Sequence, residues 1–124
     1  LFDTDVLIWY LRGNEKAASL MDSQNERYLS ILSYMELLQG VGNKLQHHYI
    51  KDFISRYGFQ VLPLNENIGH RAAIYIEEYS LSSGIRAGDA IIAATATENN
   101  MPLASGNAKH FKAIKDLDLV VFKP

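Results

Sequence analysis

The chain opens with an apolar pair, Leu1-Phe2, that runs directly into Asp3-Thr4-Asp5 and then into a second apolar run, Val6 to Leu11. A short apolar run cut by a tight polar turn reads as a buried strand feeding a helix. In an open α/β sheet that junction is where ligands sit. Thr4 and Asp5 are both favoured helix N-caps, which gives each a local reason to be there. Asp3 has no such reason, because it is read as the last residue of the strand. Two carboxylates at one junction, in a chain without cysteine, point to oxygen-ligand chemistry with a hard cation such as Mg²⁺ or Mn²⁺.

The same alternation continues to the end of the chain. A short helix through Ala17, Ala18, Leu20 and Met21 precedes a strand read at 28–32, and Ser33 and Glu36 sit three apart in the pattern of a capping box that would start the next helix. Residues 44–57 form an amphipathic helix, with Leu45, Tyr49, Ile50, Phe53, Ile54 and Tyr57 at helical spacing. A strand follows at 59–62, then a long helix capped by Asn65 and ending near Gly84. The remaining elements are a helix at 87–99 rich in small residues, a strand at 101–104, a turn at 105–107, a short helix at 108–114 and a strand at 119–122. Strands alternating with helices predict an α/β fold of three layers, a mainly parallel sheet of four to five strands with helices on both faces.

Bulk properties narrow the function classes. At 124 residues and 48% hydrophobic, the chain is expected to form one domain over 1–124. A net charge of -2 provides no global basic field, so any nucleic-acid contact must rest on local patches. The absence of cysteine and of any long apolar run suits a cytoplasmic protein and not a membrane one. The first residue is leucine and not methionine, which leaves room for more of the first strand, or a leader, ahead of it.

Right-handed crossovers place every strand-to-helix junction of a parallel sheet on one edge. Asp3, Glu36, Asp89 and Asn107 all fall there. Each has a local alternative: Glu36 as the reciprocal partner of Ser33 in the capping box, Asp89 as an acid favoured by the helix dipole, Asn107 as a turn or cap residue. The coincidence of four on one edge favours function. Two like charges about 4 Å apart repel by roughly 4 kcal/mol at an effective dielectric of about 20, so three carboxylates there need a cation or a captured proton. His47 and His48 are neighbours in a helix, point apart, and are expected on the surface. Trp9 and Tyr10 are expected to pack. Trp9, Tyr10, Tyr34, Phe53, Tyr57, Tyr75 and Tyr79 together exceed what one thin sheet covers readily, so self-association is expected.

The set Phe2-Asp3-Thr4-Asp5-Val6-Leu7-Ile8 with Tyr10-Leu11-Arg12-Gly13, Glu36-Leu37, Gly88-Asp89-Ala90 through Ala96, and Ser105-Gly106-Asn107 with His110-Phe111 resembles PIN-domain proteins, specifically the VapC-type toxin ribonucleases. These motifs span nearly the whole chain. The resemblance implies a Mg²⁺- or Mn²⁺-dependent endoribonuclease, often a homodimer, silenced by a cognate antitoxin that enters a groove beside the active site. It also implies that Asp3, Glu36 and Asp89 occupy the three acidic positions, with Thr4 and Ser105 as hydroxyls near the metal. Asp5 stands where such proteins usually have asparagine, and Asn107 where many have a fourth acid. Asp3 and Asp89 would then hold the cation, with Glu36 holding a water and acting as general base and Asn107 orienting a water or a phosphate oxygen. Lys44, Lys51, Arg56, Arg86, Lys109 and Lys112 are the cations available to an RNA backbone. Two alternatives stand beside this reading: a catalytically silent PIN fold that only binds RNA or protein, and a phosphatase of the haloacid dehalogenase type, suggested by Asp3-Thr4-Asp5 but lacking that family's Gly-Thr.

Overall fold

The computed structural model describes residues 1–124. In chain order the elements are α1 (Thr4–Leu11), α2 (Glu15–Asp22), β1 (Arg27–Ser30), α3 (Ile31–Gln39), α4 (Lys44–Arg56), β2 (Phe59–Leu62), α5 (Glu66–Ser83), α6 (Ala87–Glu98), β3 (Leu103–Ser105), α7 (Ala108–Phe111) and β4 (Leu119–Val121). β1 pairs with β2 in parallel, Arg27 opposite Phe59, and β3 pairs with β4 in parallel, Leu103 opposite Leu119.

Residues 1–3 join these two pairs. The Phe2 amide donates to Tyr28 O at 2.9 Å on one side, while on the other the Ala104 amide donates to Leu1 O at 2.8 Å and the Asp3 amide to Ala104 O at 2.9 Å. The spatial order is therefore β2, β1, residues 1–3, β3, β4, all parallel. The first strand is reduced to a bridge at Phe2, yet it holds the centre of the sheet.

Side chains alternate across this sheet and divide the core in two. Leu1 and Leu103 join Ile68, Tyr75, Ile92 and Phe111 under α5 and α6, whereas Phe2 and Ala104 join Val6, Leu7, Leu29, Phe53 and Phe59 under α1 and α4. This is the expected three-layer α/β/α arrangement. Each fully buried Leu, Ile or Phe contributes about 1.5–3 kcal/mol relative to exposure. The small residues of α6 work differently. Ala90, Ala93, Ala94 and Ala96 are buried against α5 and the sheet, and their lack of bulk is what admits so close a neighbour.

Local chemistry sets the boundaries. Asn65 caps α5 by accepting from the Ile68 amide at 2.9 Å, and Gly84, with φ 73°, ends it in the left-handed conformation that glycine tolerates best. The second strand read at 28–32 stops at Ser30 instead. Ser30 keeps extended angles and accepts from the Ser33 amide at 3.0 Å, so it is the cap, and Ile31 and Leu32 belong to α3. The capping box expected between Ser33 and Glu36 consequently does not form, and Glu36 is freed for another contact.

The aromatic surplus also resolves differently. Trp9, Tyr10, Tyr34, Phe53, Tyr57, Tyr75 and Tyr79 are all buried or half-buried within the chain. Tyr10 stacks on Phe53 at 5.3 Å between ring centres, and Phe53 in turn meets Tyr57 and Phe59. Tyr10, Phe53, Tyr57 and Phe59 thus cover one another, and none of the seven aromatics named from the sequence is fully exposed. The large apolar side chains left in solvent are others, among them Ile8, Met35, Leu45, Tyr49, Leu64 and Ile74. His47 and His48 are exposed, and His47 Nε2 lies 2.7 Å from Leu38 O.

Candidate active site

Asp3 sits where the central segment turns into α1, and the residue is 6% exposed. One oxygen accepts from the Thr4 amide at 2.7 Å and the other from Ser105 Oγ at 2.7 Å. It is thus the N-cap of α1, a role that the sequence suggested for Thr4 or Asp5. The two bonds do not offset its burial. Desolvation, reinforced by the nearby Asp5 charge and more weakly by Asp89, lifts its pKa to about 7 against the opposing pull of Ser105 and Thr4.

Asp5 lies in the first turn of α1 and reaches across the sheet edge, where one oxygen accepts from the Gly106 amide at 2.9 Å. Its other oxygen is buried and has no partner in the protein. Burial raises the Asp5 pKa as well, with the Asp89 charge adding and the Gly106 and Val6 amides opposing. Gly106 is required here for space, because a Cβ on it would stand 2.8 Å from the Asp5 carboxylate and 3.2 Å from Phe122 O.

Glu36 faces α1 from the middle of α3, exposed, and accepts from Thr4 Oγ1 at 2.7 Å. Thr4 Oγ1 is also 2.9 Å from Ser33 Oγ, which lies 3.4 Å from Ser30 Oγ. Ser30 and Ser33 are both buried; the sequence places the first only in a strand and the second only at a helix start, and their position behind Thr4 carries no signal there. Asp89, three residues into α6, accepts from the Arg86 amide over a long 3.4 Å and lies 3.0 Å from His110 Nδ1. Asn107 precedes α7 without capping it through its side chain, and its amide Nδ2 is 2.9 Å from the same His110 nitrogen. Its backbone amide donates to Ser105 Oγ at 3.0 Å, so Ser105 links Asn107 to Asp3. His110 had appeared only as part of a motif, with no role.

The structure thus links Asp3, Asp5, Ser105, Gly106 and Asn107 in one hydrogen-bonded group, joins Glu36 to it through Thr4, and sets Asp89 beside Asn107 through His110. Of the basic residues, Arg86 precedes α6, Lys109 lies in α7 and Lys112 follows it, each within three residues of Asp89 or His110. Lys44 and Lys51 lie exposed on α4. Arg56 pairs with Asp52 at 2.9 Å and adjoins Tyr57, whose carbonyl accepts from Arg27 at the start of β1; it therefore belongs to the far edge of the sheet.

No three His, Asp or Glu side chains close on a common point. The donors nevertheless fit a hard cation. They are all oxygens, the Asp5 oxygen is buried and unpartnered, and Asp3 is held in a proton-hungry state that a cation would relieve. Mg²⁺ keeps several waters and needs only one or two carboxylates with substrate phosphate, so a closed cage is not required.

The PIN domain pattern matches residues 1–117. The chain belongs to the PIN domain family. Over 121 residues it is 33% identical to Ribonuclease VapC10 of Mycobacterium tuberculosis, covering 94% of this chain and 89% of that protein. Toxin FitB of Neisseria gonorrhoeae is 31% identical over 140 residues, covering 100% of this chain and 96% of FitB. Among solved structures, a chain of a toxin-antitoxin complex from Klebsiella pneumoniae superposes with a TM-score of 0.82 at 26% identity, covering 97% of this PIN domain and 94% of its own length. The haloacid dehalogenase alternative has no support left.

Proposed function

We propose that this PIN domain is a divalent-cation-dependent endoribonuclease, the toxin of a toxin–antitoxin pair, hydrolysing phosphodiester bonds in RNA. The observation that carries the reading is Asp3: a buried carboxylate at the centre of the sheet, its pKa lifted to about 7 by burial and by Asp5 and Asp89. Such a group is costly to keep unless it binds something positive. Asp3 and Asp89 hold the cation, with the unpartnered Asp5 oxygen as a further donor. A Mg²⁺ or Mn²⁺ there would polarise the scissile phosphate and make a coordinated water more acidic. Glu36, exposed and steadied by Thr4, takes the proton of the attacking water, and Arg86, Lys109 and Lys112 meet the RNA backbone.

The relatives named as toxins, and the likeness to a chain of a toxin-antitoxin complex, support a cognate antitoxin. Its docking place is the apolar surface next to Glu36, where a cavity of about 260 Å³ is lined by Ile8, Leu11, Leu37, Val41 and Ile50 with Arg12 and Glu36 at its rim. Homodimerisation belongs to the same proposal. It is supported by a separate apolar hollow of about 200 Å³ bordered by exposed Leu64 with Ala73, Ile76 and Ile91. A cytoplasmic setting is likewise proposed; no helix is long and apolar enough to cross a membrane.

The test is cleavage of single-stranded RNA against turnover of p-nitrophenyl phosphate, each with Mg²⁺, with Mn²⁺ and with chelator. Metal-dependent RNA cleavage alone is expected. RNA binding without cleavage would instead establish a silent PIN fold.

A further inference from the structure

His110 Nδ1 is approached at 3.0 Å by Asp89 Oδ2 and at 2.9 Å by Asn107 Nδ2. A ring nitrogen of a neutral imidazole has one in-plane position: it carries either a proton to donate or a lone pair to accept. An ionised carboxylate only accepts and an amide NH₂ only donates, so both contacts cannot be hydrogen bonds at once. The carboxylate decides between them. Oδ2 of Asp89 has otherwise only the long contact from the Arg86 amide, at 3.4 Å, and a bond to an ionised acceptor is roughly twice as strong as a neutral one. Nδ1 therefore carries the proton and gives it to Asp89.

Asn107 must then turn its amide. The oxygen and nitrogen of a primary amide have the same shape, and only the bonding network fixes which is which. Turned over, Oδ1 faces the Nδ1 proton as a second acceptor, and on this half-buried residue the NH₂ takes the place of the former oxygen, which has no protein partner. We infer that His110 is a positioning residue that fixes the Asp89 carboxylate by donation from Nδ1 and, through the same proton, sets Asn107 with its NH₂ outward as a donor to a phosphate oxygen and not as a carbonyl ligand of the cation. The inference rests on the ribonuclease reading for the identity of the phosphate, but the tautomer and the amide orientation are properties of the protein alone.

Three measurements test it. In the metal-free protein, long-range ¹H–¹⁵N NMR of the imidazole is expected to show the proton on Nδ1; an Nε2–H tautomer overturns the inference. In calorimetric titrations with Mn²⁺, His110→Ala is expected to weaken binding about 10-fold or more, the usual cost of losing the partner of a metal ligand. His110→Asn, whose amide nitrogen reaches the Nδ1 position, is expected to restore most of that loss, and an unchanged affinity in His110→Ala overturns the claim. Asn107→Ala is expected to leave Mn²⁺ affinity within about twofold, far below the loss expected of His110→Ala, while RNA cleavage falls; a loss of Mn²⁺ binding as large as that of Asp89→Asn makes Asn107 a ligand and overturns its assignment. Wild-type protein that binds Mn²⁺ but cleaves no RNA defeats the ribonuclease reading and leaves the first two measurements decisive for His110.

Discussion

Thr4 Oγ1 donates to Glu36 Oε1 across 2.7 Å and so couples the first turn of α1 to the middle of α3. A hydroxyl has one proton, and the carboxylate claims it, so Ser33 Oγ at 2.9 Å must donate to Thr4 in turn. Thr4→Val keeps the shape and removes the bond. RNA cleavage is expected to fall about tenfold, which corresponds to about 1.4 kcal/mol of lost positioning. Thr4→Ser should keep most of the rate in single-turnover assays, and a Val variant as fast as wild type would detach Glu36 from catalysis.

Asp3→Asn and Asp89→Asn are each expected to abolish nuclease activity with the fold retained. Circular dichroism melts with and without Mg²⁺ separate the two effects: the wild type should gain stability from the cation, and the variants should gain little. Asp3→Asn also removes one charge from a repulsive group, so its metal-free melting point should equal or exceed that of the wild type.

The pH dependence of metal-free stability follows from Asp3. Its folded pKa of about 7 lies above the unfolded value of about 3.9, so between them the folded state holds a proton that the unfolded state has released. Stability from this group is full below about pH 4, declines as pH rises, and is lost above about pH 7. Urea midpoints across that window should fall in the wild type and change less in Asp3→Asn. An identical slope in both would remove Asp3 as the cause.

Gly106→Ala is expected to lower both stability and Mn²⁺ affinity, because the new methyl meets the Asp5 carboxylate at 2.8 Å and the Phe122 carbonyl at 3.2 Å. Overpacking of this kind costs about 1–3 kcal/mol. Denaturant melts read the first effect and Mn²⁺ calorimetry the second.

Arg71 offers a contrasting case far from the site. It joins Glu98 at the end of α6 to Asp116 ahead of β4, and Tyr75 bonds the same Asp116 at 3.0 Å. Arg71 is partly exposed, so the loss in Arg71→Leu should be only about 1 kcal/mol and smaller at high salt. Mn²⁺ affinity should not move.

Much of this was legible in the sequence because it rests on periodicity and on short-range capping. The fold class, the Asn65 cap and the Gly84 stop needed only those signals, and the handedness of the crossovers added Asp3, Asp89 and Asn107 at the strand-to-helix edge; Glu36 lies in the middle of α3 and meets that edge through Thr4. What escaped was set by contacts distant in sequence. Ser30, and not Ser33, caps α3 because β1 ends at its pairing with Leu62 of β2, two residues short of the strand read at 28–32, a pairing that no local pattern encodes. The importance of Asp5 lies in a bond to Gly106, 101 residues away, and that of His110 in its approach to Asp89. The aromatic side chains were misjudged for the same reason: composition counts rings, whereas only packing shows that Tyr10, Phe53 and Tyr57 shield one another.

The two halves of the sheet are stitched together only by residues 1–3, whose partners are Tyr28 and Ala104. A chain emerging from the ribosome can therefore pair its opening segment with β1 early, but that segment waits for residue 104 before its second side is filled. Ser105, which fixes the Asp3 carboxylate, follows immediately after. The first residues of the site are thus completed by one that lies 102 positions later, and a product stalled before it would carry Asp3 without being able to use it. For a protein that attacks RNA, this order of assembly delays activity until residues 104 and 105 have been made.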